Sequence, residues 1–419
     1  MAIATASPSF ERRSDRYQFW LVALLSLNFG ILFFDRQAAN FMMPQIQPNL
    51  DLSNFQVGLI ASGLSLSWAL AGLVVGPVSD RLGMRKPLLL VATLMFCACS
   101  FLSGLAGSFL ALLGARLLMG VAEGGVMPIS HAMIVAEVKP ERRGVSMGVG
   151  QALGSSILGS TVAPLVLVPV AAIWGWRNGF FLAALPGLVT AALIWWTLRE
   201  IPRSMTVEDA EKPAIGYRAA ITNRNVLLCS GIAVLLVSYL VVSWAFLPLF
   251  LVNARGYSPE AMSGVMAVLG ISAAIAGFVV PAISDRFGRR PTFLAFCAIG
   301  AILPLGALLL GGSPFTMGAV FFAGWFVSGT FPMFMATVPA ESVDPRLTAS
   351  LAGFVGGVGE VFGGVAGPSL AGALADAYGL DAPVWLLLAL TLGAFVIALF
   401  LRETAPAVLA RRASAAIPA

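Results

Sequence analysis

The stretch Gly76-Pro77-Val78-Ser79-Asp80-Arg81-Leu82-Gly83-Met84-Arg85-Lys86 lies between two long apolar runs. A related stretch lies between two apolar runs of the second half: Pro281-Ala282-Ile283-Ser284-Asp285-Arg286-Phe287-Gly288-Arg289-Arg290. The two copies keep Ser-Asp-Arg, a Gly and a basic residue in the same order. A charged turn between apolar segments, present once in each half, predicts a duplicated membrane protein.

Composition supports a membrane protein and argues against a soluble one. Of the 419 residues, 58% are hydrophobic and only 11% are charged, whereas soluble chains carry about 25% charged residues. The net charge of +5 does not indicate nucleic-acid binding, because the basic residues lie in short loops between apolar runs. The four cysteines lie inside apolar runs and predict neither disulfides nor a metal site; they are Cys97, Cys99, Cys229 and Cys297.

Apolar runs of about 20 residues, the length that crosses a bilayer, predict twelve spans. They are 19–42, 55–77, 87–106, 109–136, 145–172, 178–198, 226–252, 259–281, 291–311, 315–340, 347–375 and 383–401. The expected fold is an all-α membrane protein with twelve transmembrane helices in two pseudo-symmetric six-helix bundles. We expect one bundle over residues 1–198, a cytoplasmic linker over 199–224, and the second bundle over 225–419.

The distribution of basic residues predicts the orientation. With the N-terminus inside, nearly all of the 25 Lys and Arg residues fall in inner segments, and the outer loops hold only Arg177 and Arg255. Inner loops of membrane proteins are enriched in these residues. We therefore expect a multi-pass protein of a bacterial-type inner (plasma) membrane with both termini in the cytoplasm. The first apolar run is too long for a signal-peptide core.

A second repeat supports the duplication. Ala136-Glu137, Arg142, Ser146, Gly159 and Pro164 match Ala340-Glu341, Arg346, Ser350, Gly363 and Pro368 at a constant spacing. Parallel repeats of six spans are typical of transporters that rock two halves around a site at the midplane. Two such halves suffice for a working monomer.

The motifs resemble those of the major facilitator superfamily. Gly76-x-x-x-Asp80-Arg81-x-Gly83-x-Arg85-Lys86 is similar to its loop 2–3 signature, and Arg116-x-x-x-Gly120-x-x-x-Gly124 is similar to its span-four signature. The resemblance covers essentially the whole chain. It implies the twelve-helix fold and secondary transport by alternating access.

Charged residues inside spans are costly and therefore mark candidate functional sites. Arg36 lies toward the predicted outer end of span one, and its planar fork of donors suits a carboxylate or phosphate. An anionic substrate is thus the expected ligand of Arg36. The alternative is a structural ion pair of Arg36 with Glu123 or Asp35.

Asp35 and Glu123 are candidate proton carriers. Low-dielectric surroundings favour a neutral carboxylic acid, whereas the neighbouring Arg36 favours the carboxylate, and this competition suits reversible protonation. The alternative for each is a permanent ion pair. The roles of Arg116 and His131, both in span four, remain open between proton relay and packing.

The remaining candidates for substrate binding are polar or aromatic residues inside spans, together with Glu360. They are Asn28, Gln151, Ser155, Tyr239, Trp244 and Glu360. Gln151 and Ser155 are four residues apart and share one helical face. Glu360 lies among glycines, which make room for a ligand. It is expected to be either a further proton acceptor or a partner for a substrate with hydroxyl or amine groups.

These residues resemble the anion:cation symporter branch of the superfamily, which includes sugar-acid permeases and the sialic-acid and vesicular glutamate carriers. The resemblance rests on Asn28, Asp35-Arg36, Glu123 with Pro128, and Gln151. It implies that Arg36 binds the substrate carboxylate, that Asp35 and Glu123 take up protons, and that Gln151 contacts substrate. Glu360 stands near a position where sugar-acid members tend to carry Asn, so an aromatic acid is the alternative substrate.

The two charged turns are expected to act as gates, with charge pairs that must separate before the inner side opens. The gating candidates are Asp80, Arg81, Gly83, Arg85, Asp285, Arg286, Gly288 and Arg289. Gly83 and Gly288 suit turns with positive φ.

The expected function is proton-coupled symport of a small organic anion, such as a sugar acid or an aromatic acid. The alternative is a proton-driven exporter of a drug or metabolite from the same superfamily. An enzyme is not expected, because nucleophile elbows, phosphate-binding loops and metal clusters are absent from the sequence. No cofactor is expected, and the driving force should be a proton gradient.

Overall fold

A computed structural model of the chain describes residues 14–200, 217–344 and 347–415. Within these ranges the chain is helical and without strands, and twelve helices are long and apolar enough to cross a membrane. The helices are α1 (Asp15–Asn49), α2 (Asn54–Gly76), α3 (Arg85–Gly104), α4 (Phe109–Glu137), α5 (Gly154–Trp174), α6 (Trp176–Thr197), α7 (Arg224–Ala254), α8 (Pro259–Phe287), α9 (Arg289–Leu309), α10 (Pro314–Ser342), α11 (Ser350–Tyr378) and α12 (Asp381–Ala398). The predicted number of spans is confirmed.

The first helix is longer than its apolar run predicts. It begins after Ser14, whose hydroxyl oxygen accepts a hydrogen bond from the amide of Tyr17, and it continues through Pro44 and Pro48. At about 1.5 Å per residue, its 35 residues exceed the roughly 30 Å of hydrocarbon in a bilayer. Arg36 therefore lies near the middle of α1. The polar residues after Met43 belong to the helix, so the helix extends beyond the predicted span 19–42.

Both predicted glycine turns are confirmed. The helical path of α2 continues past Gly76 and ends at Gly83, whose φ is 64°. Gly288 has a φ of 111° and separates α8 from α9. Such angles cost a residue with a Cβ more than they cost glycine. We call the end of the molecule that carries these two turns the hairpin end.

The packing of the helices repeats with a shift of six. In the first half α1 packs on α5, α2 on α4, and α3 on α6. In the second half α7 packs on α11, α8 on α10, and α9 on α12. Each pair of the first half thus has its counterpart in the second, and the two pseudo-symmetric bundles are confirmed. The halves meet along α2 with α11 and along α5 with α8.

The halves are closely packed at the end opposite to the hairpins. There the two carboxylate oxygens of Asp376 on α11 accept hydrogen bonds from the amides of Asn54 and Phe55, at 2.8 and 2.9 Å. A carboxylate at a helix N-terminus satisfies free N–H groups and complements the helix dipole. A Cβ added to Gly58 of α2 would lie 2.2 Å from the carbonyl oxygen of Pro368 on α11. Only glycine permits this approach.

The halves separate toward the hairpin end. A Cβ added to Gly144 or Gly148 in the first half, or to Gly277, Gly353 or Gly356 in the second, would meet no described atom within 4 Å. These glycines face open space, whereas Gly58 at the opposite end approaches the backbone of the other half.

Candidate functional site

A cavity of about 100 Å³ lies between the halves near the middle of the helices. We call it the central cavity. Its walls come from α1, α2, α4, α7 and α11. Its charged lining residues are Arg36, Arg116 and Glu360, its polar ones are Gln37, Asn40 and Ser65, and its aromatic ones are Phe33, Trp68 and Trp244.

Arg36 lines the central cavity, and its guanidinium group lies between two aromatic rings. The guanidinium carbon lies 5.6 Å from the centre of the Phe33 ring and 5.3 Å from that of Trp68. Its side chain retains 15% exposure. Cations are attracted to the faces of such rings, which hold the guanidinium in place without using its N–H donors. Those donors remain available to a ligand in the cavity.

Glu123 of α4 is the acidic partner of Arg36. One oxygen of Glu123 lies 3.5 Å from Nη1 of Arg36, at the limit of hydrogen-bond length. The carboxyl group is fully buried, and its other oxygen has no hydrogen-bond partner among the described residues. The contact is single and long, whereas strong arginine–carboxylate pairs are short and often bidentate. Arg36 can therefore exchange this partner for another anion.

Asp35 and Arg116 form a second acid and base, of which Arg116 lines the cavity and Asp35 does not. Asp35 is fully buried and accepts a hydrogen bond of 2.6 Å from Ser100 on α3, while its other oxygen has no described partner. Nη1 of Arg116 lies 2.9 Å from the sulfur of Met119, and the guanidinium lies 4.8 Å from the centre of the Phe180 ring. Arg116 acts electrostatically on both Asp35 and Glu123. The four charged groups are thus one electrostatic unit.

This buried unit is neutral when both carboxyl groups are ionised. Charges are costly in a low-dielectric interior unless opposite charges balance them. When one carboxyl group is protonated, the unit carries one net positive charge. Binding of an anion makes it neutral again. The arrangement of Asp35, Arg36, Arg116 and Glu123 can therefore link binding of an anion to binding of a proton.

Glu360 faces Arg36 across the central cavity from the second half. It lies in Gly359–Gly364, a turn of α11 wider than an ordinary α-helix. Such widened turns often occur at functional sites. One oxygen of Glu360 is buried without a hydrogen-bond partner among the described residues. A buried carboxylate oxygen without a partner suits a ligand that donates a hydrogen bond.

Three predicted substrate-binding residues lie away from the central cavity in this structure. The amide oxygen of Asn28 accepts hydrogen bonds from Thr93 and Thr190 inside the first half. The hydroxyl of Tyr239 donates to the Gly300 carbonyl at 3.2 Å. Ser155 is half-buried near the start of α5 and does not line the cavity. Trp244, by contrast, lines the cavity as expected.

Two further predictions fall on side chains outside the described part of the structure, those of Gln151 and Asp80. His131 is half-buried beside a separate small cavity that Ser26 and Ser130 also line. The four cysteines are free and buried. Across the ranges that the structure describes, no cluster of His, Cys, Asp and Glu is arranged to hold a metal ion.

Sequence reasoning missed Gln37, Ser65 and Trp68 as lining residues of the cavity. Trp68 and Ser65 are three residues apart on α2, a spacing that places both on one helical face. Gln37 accepts a hydrogen bond of 2.6 Å from the side chain of Asn40. The several serines near Trp68 within one predicted span are the signal that could have indicated the lining residues of α2.

The charged turns hold each hairpin to its own half. Arg289 forms a bidentate ion pair with Glu341 of α10, at 2.7 and 3.1 Å, and contacts Asp285 at 2.5 Å. In the first half, the carboxylate of Glu200 accepts hydrogen bonds from the amides of Arg85 and Lys86. Arg81 and Arg286 are exposed.

Arg289 thus pairs with Asp285 and Glu341, and both partners belong to its own half. The gating role of the two charged turns stays a prediction.

Comparison with known proteins agrees with the fold and the repeat. The family model described as Major Facilitator Superfamily matches residues 25–361 and 227–418. The chain is 28% identical to the hexuronate transporter of Bacillus subtilis (strain 168) over 388 residues, which are 88% of this chain and 90% of that protein. It is 28% identical to the gallate transporter of Pseudomonas putida over 423 residues, 91% of this chain and 90% of that protein.

A solved structure shares the arrangement of the helices. It is a bacterial homolog of the human lysosomal transporter Spinster in an inward-facing and occupied conformation, with a TM-score of 0.76 and 18% identity. The similarity covers 96% of this chain and 98% of that one. This similarity concerns the fold; the match of the family model shows that the chain belongs to the Major Facilitator Superfamily, whose members are membrane transporters.

Proposed function

We propose that this protein is a secondary transporter that takes up a small organic anion together with protons, by alternating access to a site between its two halves. The observation that carries the proposal is Arg36, a guanidinium held between aromatic rings in the central cavity and only loosely paired with Glu123. A guanidinium fork matches a carboxylate in bidentate fashion. Relatives named for hexuronate and gallate transport both carry carboxylate substrates, which supports this substrate class.

Among carboxylates, the cavity favours a small aromatic acid over a sugar acid. Phe33, Trp68 and Trp244 supply flat apolar walls near the cation. An aromatic ring stacks on such walls, whereas a sugar acid requires many hydrogen-bonding groups for its hydroxyls. Glu360, Gln37 and Asn40 offer a limited set of acceptors and donors. A benzoate with one or more ring hydroxyls fits both parts of the lining.

The charge of the central cavity argues against the alternative of a drug exporter. The two arginines of the cavity favour an anion over a cation or a neutral compound.

Coupling to protons rests on Asp35 and Glu123. Each is fully buried and has one oxygen without a described partner, the position where a proton adds without breaking a hydrogen bond. When a proton neutralises Glu123, Arg36 is free to bind the substrate carboxylate. In the opposite direction, ionised Glu123 competes with the substrate for Arg36 and promotes release.

The remaining features of the proposal follow from the charge pattern and the repeats. The protein lies in a bacterial-type inner membrane with both termini in the cytoplasm, and it works as a monomer. Transport is driven by the proton gradient and uses no cofactor. The halves comprise residues 1–198 and 225–419, joined by a cytoplasmic linker. Substrate passes the hairpin end, where the two charged turns act as gates.

The test is uptake into proteoliposomes under an inward proton gradient, with gallate, benzoate and glucuronate as labelled substrates. We expect accumulation of gallate that a protonophore abolishes and that Arg36→Ala loses. An Arg142→Ala variant, which removes an exposed arginine that does not line the central cavity, should behave as wild type. Export of a cationic drug with no uptake of any acid would overturn the proposal.

A further inference from the structure

A second and larger cavity, of about 640 Å³, lies at the hairpin end of the second half. It is bounded by the first turn of α7, the first turn of α9 and the chain that follows α12. Each of these three segments contributes one exposed arginine: Arg224, Arg290 and Arg402. We call it the arginine cavity. It lies apart from the central cavity, with which it shares no lining residue.

The positive charge of the arginine cavity is not balanced within the described structure. Its acidic lining residue, Glu403, accepts hydrogen bonds from the amides of Arg289 and Arg290 at the N-terminus of α9, at 2.7 and 3.2 Å. Arg224 donates one N–H to the Phe400 carbonyl at 3.1 Å. No described residue accepts a hydrogen bond from the side chains of Arg290 or Arg402. Several guanidinium donors therefore face the cavity without an anion.

The other wall of the cavity is apolar. Pro291 and Leu294 of α9 form one side, and Leu399 and Phe400 form the other. Leu399 is 39% exposed and Phe400 is 56% exposed. Near the end of a membrane helix, such side chains face the lipid. A ligand that fills this cavity must combine an anionic group with a hydrocarbon part.

The equivalent surface of the first half has different contacts. Lys86, which matches Arg290, donates to the Trp195 carbonyl at 2.7 Å and lies 5.5 Å from the centre of the Trp195 ring. Asp15 begins α1, as Arg224 begins α7, and pairs with Lys139 at 2.7 Å. Lys86 and Asp15 thus both have partners within the first half. The three converging arginines are a feature of the second half and are not required by the fold.

We propose that the arginine cavity binds an anionic phospholipid, with the phosphate between Arg224, Arg290 and Arg402 and an acyl chain along Leu294 and Phe400. Arginine pairs with phosphate through bidentate, charge-assisted hydrogen bonds. Basic pockets between membrane helices are suited to anionic headgroups, and each basic residue near the surface adds to the attraction. The proposal goes beyond the transport function and requires only that the helices span a bilayer.

The test is native mass spectrometry of the delipidated protein titrated with phosphatidylglycerol or with phosphatidylcholine of the same acyl chains. We expect one phosphatidylglycerol to bind about ten-fold more tightly than phosphatidylcholine. In the variant Arg224→Gln/Arg290→Gln/Arg402→Gln the preference should fall to about two-fold or less. The matched control Arg142→Gln/Arg218→Gln/Arg411→Gln removes the same charge from exposed positions elsewhere and should keep the preference.

Glycerol phosphate and inorganic phosphate serve as soluble competitors that distinguish a lipid from a free anion. We expect neither to displace phosphatidylglycerol at millimolar concentration. Displacement by either would assign the site to a free phosphate and overturn the lipid proposal. An unchanged preference in the triple variant would overturn the site itself. If the triple variant does not fold, the three single variants replace it, and each should reduce the preference several-fold.

Discussion

Glu123 and Arg36 lie on different helices of the first half, and their closest charged atoms are 3.5 Å apart in the middle of the protein. The side chain of Glu123 is fully buried, whereas that of Arg36 lines the central cavity. This asymmetry places the acid where a proton can neutralise it and the base where a ligand can reach it. The proposed transport cycle, in which a substrate carboxylate replaces the Glu123 carboxylate at Arg36, rests on this asymmetry.

Replacing Arg36 with lysine tests whether the guanidinium fork binds the substrate. Arg36→Lys keeps the charge but presents a compact ammonium in place of two parallel donors, and it weakens the stacking on Phe33 and Trp68. We expect the KM for uptake of gallate to rise about ten-fold or more, the loss of roughly one charged hydrogen bond. Arg142→Lys at an exposed position should leave KM unchanged. An unaltered KM in Arg36→Lys would exclude bidentate binding.

Replacing Glu123 with glutamine tests the proton-carrying role. The glutamine mimics the protonated acid permanently, so Arg36 stays free for substrate and both half-reactions of exchange remain possible. We expect Glu123→Gln to retain counterflow, the exchange of labelled for unlabelled substrate, and to lose accumulation driven by a proton gradient. The control is Glu260→Gln, at an exposed position. Gradient-driven accumulation by Glu123→Gln at the wild-type level would remove Glu123 from the coupling mechanism.

Glu360 should determine the preference for ring hydroxyls. Glu360 lines the central cavity and has one oxygen without a described partner, and an ionised carboxylate accepts a stronger hydrogen bond than a neutral amide does. Glu360→Gln should weaken binding of gallate by about five-fold and leave binding of benzoate within two-fold, about 1 kcal/mol of discrimination. Competition against labelled substrate measures both affinities. Equal loss for the two acids would mean that Glu360 does not contact the hydroxyls.

Gly58 should control closure of the end opposite to the hairpins. A methyl group added there would meet the Pro368 carbonyl, so Gly58→Ala separates α2 from α11 and disfavours the conformation seen here. Spin labels at positions 142 and 353, one on each half at the hairpin end, should report shorter distances in Gly58→Ala. Gly114→Ala adds a methyl group where no described atom lies within 4 Å and serves as the control. Identical distance distributions in the two variants would contradict the rocking geometry.

The twelve helices, the duplication and the glycine turns could be predicted because each depends on a local property of the sequence. Apolar runs of spanning length, a repeated Ser-Asp-Arg-x-Gly turn and the placement of basic residues require no knowledge of contacts. The length of α1 could not be predicted in this way. Its last turns contain Pro44, Pro48 and several amides, and they resemble a loop until packing of the helix is known.

The sequence indicates which charged residues are candidates for the site, but it does not indicate which residues contact one another. Arg36, Glu123 and Glu360 were identified because charges inside spans are costly. Which of them meet depends on the rotation and crossing of helices, and these follow from close approaches such as that of Gly30 to Gly154. Asn28 and Tyr239 illustrate the same limit: their polar groups hydrogen-bond inside their own halves, away from the central cavity.

The central claim is that substrate and proton enter together because Arg36 exchanges Glu123 for the substrate carboxylate. It is tested most directly by recording the external pH of wild-type proteoliposomes, without any imposed gradient, when gallate is added outside. The account predicts that the external medium becomes alkaline as gallate enters and that Glu123→Gln abolishes the pH change while gallate still exchanges. Entry of gallate with acidification of the medium, or with no pH change in the wild type, would contradict it.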